Sequence, residues 1–249
     1  MPWYGVIQPP DGGFYRPAFH IVKEKSGSVL AIEKGDTIWI ISQLFSPWGN
    51  LPPALDARID VAGVEKLDCG MVKFIASESS AWNLLSDMSV VLKNLTTISK
   101  KKRISRLWSC PAKPIGQFIQ SIRKLESSNE LIDWSDKLLK NDLVFDFISY
   151  RLSDGTKCAF NHVKKLLANT DEKKVVFWDR WSLPRRLAER REKVDDPTLN
   201  LYLEAILNKA ENVWGIESKL YSEAGSYSEK ESKLAHRLNK KFELILCSQ

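Results

Sequence analysis

Histidine and cysteine are scarce in this chain, with three His and four Cys among 249 residues. The cysteines (Cys69, Cys110, Cys158 and Cys247) are scattered, and no two have CxxC spacing. That pattern argues against a structural zinc site or a disulfide framework, and it fits a reducing cytoplasm. Long apolar runs are missing too. Stretches such as 38–41 and 90–92 fall far short of the ~18–20 residues of a membrane-spanning helix. The first residues, Met1-Pro2-Trp3-Tyr4, lack the basic start and apolar stretch of a secretory signal. No internal repeat or low-complexity segment is visible.

The residues that are present point to folded cores. Hydrophobic residues make up 43% and there are nine Trp, which excludes a mainly disordered chain. The net charge of +6 suits nucleic acid, a phosphorylated small molecule, or neither.

Texture changes along the chain. Residues 1 to about 100 carry short β-favouring runs at 18–22, 29–32, 37–42, 58–61 and 71–76, separated by turn signals such as Gly35-Asp36 and Pro52-Pro53. This predicts a compact β-rich domain, with a small barrel as one arrangement. Helical spacing predicts one or two helices over 79–95 and another over 115–125. A boundary is expected between 126 and 140. From 142 onward, apolar strands at 143–150, 174–178, 212–217 and 242–247 alternate with helices at 158–168, 198–209 and 228–239. Such alternation predicts a parallel sheet covered on both faces, with ligands outside the carboxyl ends of its strands.

Three clusters fall at those ends. One is Ser149-Tyr150-Arg151. Another runs from Trp178, Asp179, Arg180 and Trp181 through Pro184, Arg185 and Arg186. The third is Ser218-Lys219-Leu220-Tyr221 with Ser226-Tyr227-Ser228-Glu229-Lys230-Glu231. The run Phe145-Asp146-Phe147-Ile148-Ser149-Tyr150 resembles the first box of the TIR domain family. The strand Val176-Phe177-Trp178-Asp179 is similar to that family's second strand, and the loop from Asp179 to Pro197 takes the place of its BB loop. The stretch 218–235 is similar to the family's catalytic block, with Ser226, Tyr227, Ser228 and Glu231 at the Ser, Trp, Cys and Glu positions. The resemblance covers about 142–249. It departs in Tyr227-Ser228, in a loop without Gly after Pro184, and in four strands where the family has five. The open sheet edge is expected to be covered by the N-terminal domain or another subunit.

The resemblance implies a flavodoxin-like domain over 141–249, and the texture of the chain adds a 127–140 linker and a β-rich sensor or interaction domain over 1–126. It implies NAD⁺ cleavage with nicotinamide release, by hydrolysis or cyclisation, in an assembly-activated cytoplasmic effector of antiphage immunity or stress. Glu231 would be catalytic. Ser149, Tyr150, Arg151, Trp178, Asp179, Arg180, Trp181, Tyr221 and Ser226 would hold NAD, the substrate, with no other cofactor and no metal. Self-association through the loop from Asp179 to Pro197 is expected. Breaking a nicotinamide–ribose bond passes through an oxocarbenium-like state, which needs a carboxylate, a stacking surface and cations for the pyrophosphate.

Other readings stay open on the same residues. Apart from the resemblance, a glutamate beside Glu229 and Lys230 reads as part of a solvated helix. Asp179 is either a loop cap or a ligand contact, and Trp178 is a candidate for packing. Arg185, Arg186, Arg190 and Arg191 are a solvated charge-paired helix or a phosphate or oligomer contact. The basic run at 100–106 is a solvated linker or a nucleic-acid contact. The segment Gly35–Ile40 resembles the opening of PUA-like or EVE-like barrels, which recognise modified bases or RNA. Trp39, Trp48 and Trp82 are core residues or an aromatic pocket. The alternative functions are a non-enzymatic TIR adaptor, a nucleic-acid-binding regulator acting through the N-terminal domain, and a nucleoside deoxyribosyltransferase-like enzyme.

Overall fold

A computed structural model describes residues 3–7, 14, 16–23, 27–68, 70–99, 101–140, 143–169, 174–182 and 197–247. From the N-terminus the chain forms β1 (Trp3–Ile7), β2 (Arg16–Lys23), β3 (Thr37–Ser42), β4 (Phe45–Ser46), β5 (Gly49–Asn50), β6 (Ala54–Leu67), β7 (Met71–Ala76), β8 (Ala81–Trp82) and β9 (Leu85–Ser86). Helix α1 (Ser89–Asn94) follows, then β10 (Thr96–Ile98), β11 (Ile104–Arg106), a 3-10 turn at Ile115–Gln117, β12 (Lys124–Leu125) and α2 (Asn129–Leu139). The last part holds β13 (Asp146–Tyr150), α3 (Thr156–Leu167), β14 (Val175–Phe177), the short α4 (Asp179–Ser182), α5 (Pro197–Lys209), β15 (Asn212–Glu217), α6 (Tyr227–Arg237) and β16 (Lys241–Leu246).

The first half is antiparallel, in the order β1-β2-β7-β6-β3 with β8 also on β6. Leu55, Ala57, Ile59 and Val61 alternate inward along β6, the period of a half-buried strand. A register shift between Val61 and Gly63 lets this long strand pair β3 with its first part and β7 with its second. The path is open among the described residues.

The second half holds a sheet in the order β16-β15-β13-β14-β9. Its first four members are parallel and β9 joins β14 antiparallel. All five side chains of β13 are buried, as expected where helices cover both faces. Ile148, Tyr150, Val176 and Trp178 pack against Ala159, Phe160 and Val163 of α3. On the opposite face Phe147, Phe177 and Val213 meet Leu203, Ile206 and Leu207 of α5 and Ala235 of α6. The chain is therefore mixed α and β, with antiparallel sheets and one sheet that is mainly parallel.

Several expectations need correction. Residues 29–32 form a turn rather than a strand. The segment 79–95 holds β8, β9 and the six-residue α1 in place of longer helices. The residues at 115–125 hold a 3-10 turn and β12 in place of a helix, because short helices gain little alone and Ile115, Phe118 and Ile119 are drawn onto Leu95, Leu107 and Trp108. The segment 127–140 contains α2, whose Leu131 is fully buried. The N-terminal half does cover a sheet edge, but it is the β14 edge, through Leu85 and Ser86. Among the described residues β16 pairs only with β15. The two halves also share apolar clusters, since Leu84 packs with Phe147 and Leu85 with Ile148.

One cysteine pair is bonded against expectation. Cys158 of α3 and Cys247 just past β16 form a disulfide, with Cα atoms 5.8 Å apart. They lie 89 residues apart in sequence and meet where α3 packs in one cluster with Trp214 and Ile216 of β15 and Ile245 of β16. No helix among the described residues is long and apolar enough to cross a membrane.

Candidate functional site

Alternation along β13 decides which residues can meet at its carboxyl end. Ile148 and Tyr150 turn toward α3, so Ser149 turns toward α5 and α6. There the Ser149 hydroxyl donates to Glu231 Oε2 at 2.7 Å and accepts from the Tyr221 hydroxyl at 3.0 Å. All three residues are buried, and Glu231 is only 3% exposed. Gly215 lies beside Ser149 in the register of β15. A Cβ there would stand 2.7 Å from the Tyr221 hydroxyl, so only glycine leaves room for it. The loop carrying Tyr221 is pinned by Asp154, which accepts from the Ser218 hydroxyl at 2.8 Å and from the Leu220 N–H at 3.0 Å.

The start of α6 separates its two glutamates. Ser226 is the N-cap, accepting from the Glu229 N–H at 3.1 Å. Glu229 in turn accepts from the Gly225 N–H at 2.8 Å and pairs with Lys233 at 2.6 Å. The Lys233 hydrogen bond, followed by that of Gly225, holds the Glu229 carboxyl below its ordinary range. Glu229 is thus a capping residue at the rim. The Ser228 hydroxyl donates to the Tyr221 carbonyl and ties the helix to its loop. Glu231, two residues beyond Glu229, is carried inward to Ser149.

Glu231 also lines a cleft of about 310 Å³ between α5 and α6. Asn200 and Tyr227 share that wall, and Lys230, Lys233 and Arg237 edge it. Arg237 is paired with Glu204 at 2.6 Å, and the Lys230 ammonium stands 5.7 Å over the Tyr227 ring. A buried carboxylate with a fixed hydroxyl partner, opening on a cation-edged cleft, can face a developing positive charge while the edge takes phosphate.

The other residues picked out from sequence are dispersed. Tyr150 and Trp178 lie in the packing beneath α3, with ring centroids 6.5 Å apart, on the far face of the sheet from Glu231. Trp181 is not an open stacking surface, because its indole N–H donates to the Asn83 carbonyl at 3.2 Å and its ring packs on the same cluster. Asp179 is buried at the head of α4, and Arg180 is exposed. Arg151 pairs with Glu223 across the top of the sheet. Pro184, Arg185, Arg186, Arg190 and Arg191, with most of the loop proposed for self-association, lie outside the described residues. Sequence reasoning missed Asn200, Lys233 and Arg237. The signal was the spacing of Lys230, Lys233 and Arg237 along one side of α6. Among the described residues no three His, Cys, Asp or Glu side chains are grouped to hold a metal ion.

No family model, no curated protein and no solved structure matches this chain.

Proposed function

We propose that this chain cleaves the nicotinamide–ribose bond of NAD⁺, with Glu231 as the carboxylate that meets the ribosyl cation. The observation that carries this reading is the burial of Glu231 against Ser149, at the carboxyl end of a central parallel strand and in the wall of a cleft. The strand order β16-β15-β13-β14 is that of a doubly wound, flavodoxin-like sheet, where ligands sit outside the carboxyl ends of the strands. It supports the TIR resemblance, as does the meeting of Ser149 from the first box with Glu231 from the catalytic block.

In this reading the C–N bond to nicotinamide breaks with its electron pair leaving on the ring nitrogen, so nicotinamide departs neutral. Water then adds to the ribosyl carbon and loses a proton, giving ADP-ribose. In cyclisation an adenine nitrogen takes the place of water. Glu231 stabilises the cation between these steps, and Lys230 and Lys233 face the pyrophosphate. Assembly-dependent activation, in the manner of an immune or stress effector, belongs to the same proposal.

The test is nicotinamide release from NAD⁺ by the full chain over a range of protein concentrations, beside Glu231→Gln. Release by the wild type that falls at least a hundredfold in the variant supports the assignment. Equal release by both, or release from simple nucleosides in place of NAD⁺, overturns it.

A further inference from the structure

The residues 88–125 contain nine Lys and Arg and no Asp or Glu, which leaves the rest of the chain net acidic. The structure gathers much of that charge on one small sheet, in the order β11-β10-β12. Thr97 of β10 is buried on the inner side, above Leu95, Leu107, Trp108 and Leu125. The neighbouring residues of the strand therefore face outward. Arg106 stands opposite Thr96 and Lys124 opposite Ile98, so the two strands beside β10 each present a cation, beside the carboxylate of Glu126, which accepts from the Thr96 hydroxyl at 2.6 Å. Lys101, Lys102, Arg103, Arg106, Arg123 and Lys124 are all exposed, and none forms an ion pair with a described residue.

The tip of the β10–β11 hairpin is a built turn. Lys102 donates its N–H to the Ser99 carbonyl at 2.8 Å, and the Arg103 N–H donates to the Ser99 hydroxyl at 3.0 Å. Lys102 has φ +57°, a left-handed conformation that glycine and asparagine adopt more readily than lysine. The turn holds a run of cations outward, where a relaxed linker would let them spread.

We propose that this basic hairpin is a docking surface for double-stranded DNA, held through its phosphates without reading sequence. Three considerations favour that partner. Exposed cations gathered on a sheet release the counterions of a polyphosphate, and this drives association. Arg106 of β11 and Lys124 of β12 lie two strand spacings apart, about 10 Å, which suits the two backbones bordering the ~12 Å major groove of B-form DNA, whereas the major groove of duplex RNA is too narrow. The outward face carries no aromatic ring on which unpaired bases would stack, as a single-strand binder requires. A lipid surface is disfavoured because Ile104 is the one large apolar side chain exposed on the hairpin. This inference is independent of the reading of Glu231.

The experiment is fluorescence anisotropy of a labelled 20-base-pair DNA of arbitrary sequence with the full chain, between 50 and 200 mM NaCl. Four or five phosphate contacts predict a log–log slope of about −4, so affinity falls roughly two-hundredfold over that range. The triple variant Lys101→Ala, Arg103→Ala, Arg106→Ala should bind at least tenfold more weakly at 50 mM with a shallower slope, while its melting temperature stays unchanged. The control Lys157→Ala, Lys164→Ala, Lys165→Ala removes equal charge from α3 and should bind as wild type. No duplex binding at 50 mM, equal loss in both triple variants, equal affinity for single strands, or binding to vesicles rich in phosphatidylserine but not to DNA would each overturn the proposal.

Discussion

The Ser149 hydroxyl donates to a Glu231 carboxylate oxygen at 2.7 Å, although 82 residues separate the two in sequence. The bond fixes one oxygen of a carboxylate that lines the cleft. Ser149→Ala should therefore lower kcat for nicotinamide release roughly tenfold to a hundredfold, the cost of a misoriented reacting group. KM should change little, because Ser149 is wholly buried behind Glu231. Steady-state kinetics with a thermal melt of the variant separate this from unfolding. An unchanged kcat would remove Ser149 from the site.

Gly215 gives the Tyr221 hydroxyl its place. A methyl group there meets Tyr221 and Phe242 at 2.7 Å and Leu244 at 2.9 Å, all closer than van der Waals contact allows. Gly215→Ala should cost about 1–3 kcal/mol in urea unfolding through this overpacking. It should also lower activity by displacing Tyr221 from Ser149, and Tyr221→Phe should reproduce the activity loss at a smaller cost in stability. Stability equal to wild type would mean that the neighbours give way without strain.

The Cys158–Cys247 bond ties the exit of β16 to α3, where the Cys247 N–H also reaches the Glu217 carbonyl at 3.2 Å. A non-reducing digest should yield a cross-linked peptide holding both residues, and Cys110 should react as a free thiol. Closing so long a loop restricts the unfolded chain, so Cys247→Ser should destabilise the protein by about 2–4 kcal/mol under oxidising conditions. Alkylation of both cysteines in the native protein, with no effect of reductant on melting, would show the link to be absent.

How far the structure could be read from sequence depends on the range of the interactions involved. Strands β3, β7 and β15 fall where alternation and turn residues put them, because both signals are local. So do α3 and α5 within two residues. The segments 79–95 and 115–125 were misread because their apolar residues follow distant partners: Leu85 pairs with Val176 of β14, and Ile115 packs with Leu131 of α2. Within the site, Ser149 was legible as the end of a strand, whereas Glu231, on a helix, was picked out by the family resemblance of 218–235. That Tyr150 and Trp178 face away from them follows from alternation alone, yet which face the glutamate occupies required the strand order.

One buried and one half-buried titratable group in the N-terminal half should make opposite contributions to stability in mild acid. Burial raises the Asp56 carboxyl to about 6, partly offset by the Ser42 hydroxyl that donates to it at 2.9 Å. Burial lowers the His20 imidazole to about 4. Between pH 4 and 6 the folded chain holds the Asp56 proton more tightly than the unfolded chain, so this carboxyl lowers stability as pH rises. Over pH 4 to 6.5 the unfolded chain binds the His20 proton more tightly, so the imidazole raises stability as pH rises. Each effect is on the order of 2–3 kcal/mol, and in the wild type they largely cancel. Asp56→Asn should match wild type near pH 4 and gain stability over it as pH climbs to 7. His20→Gln should show its difference from wild type growing in the other direction, as pH falls from 6.5 to 4. Urea unfolding at four pH values reads both slopes, and a pH-independent difference in either variant would mean that the group titrates normally in the fold.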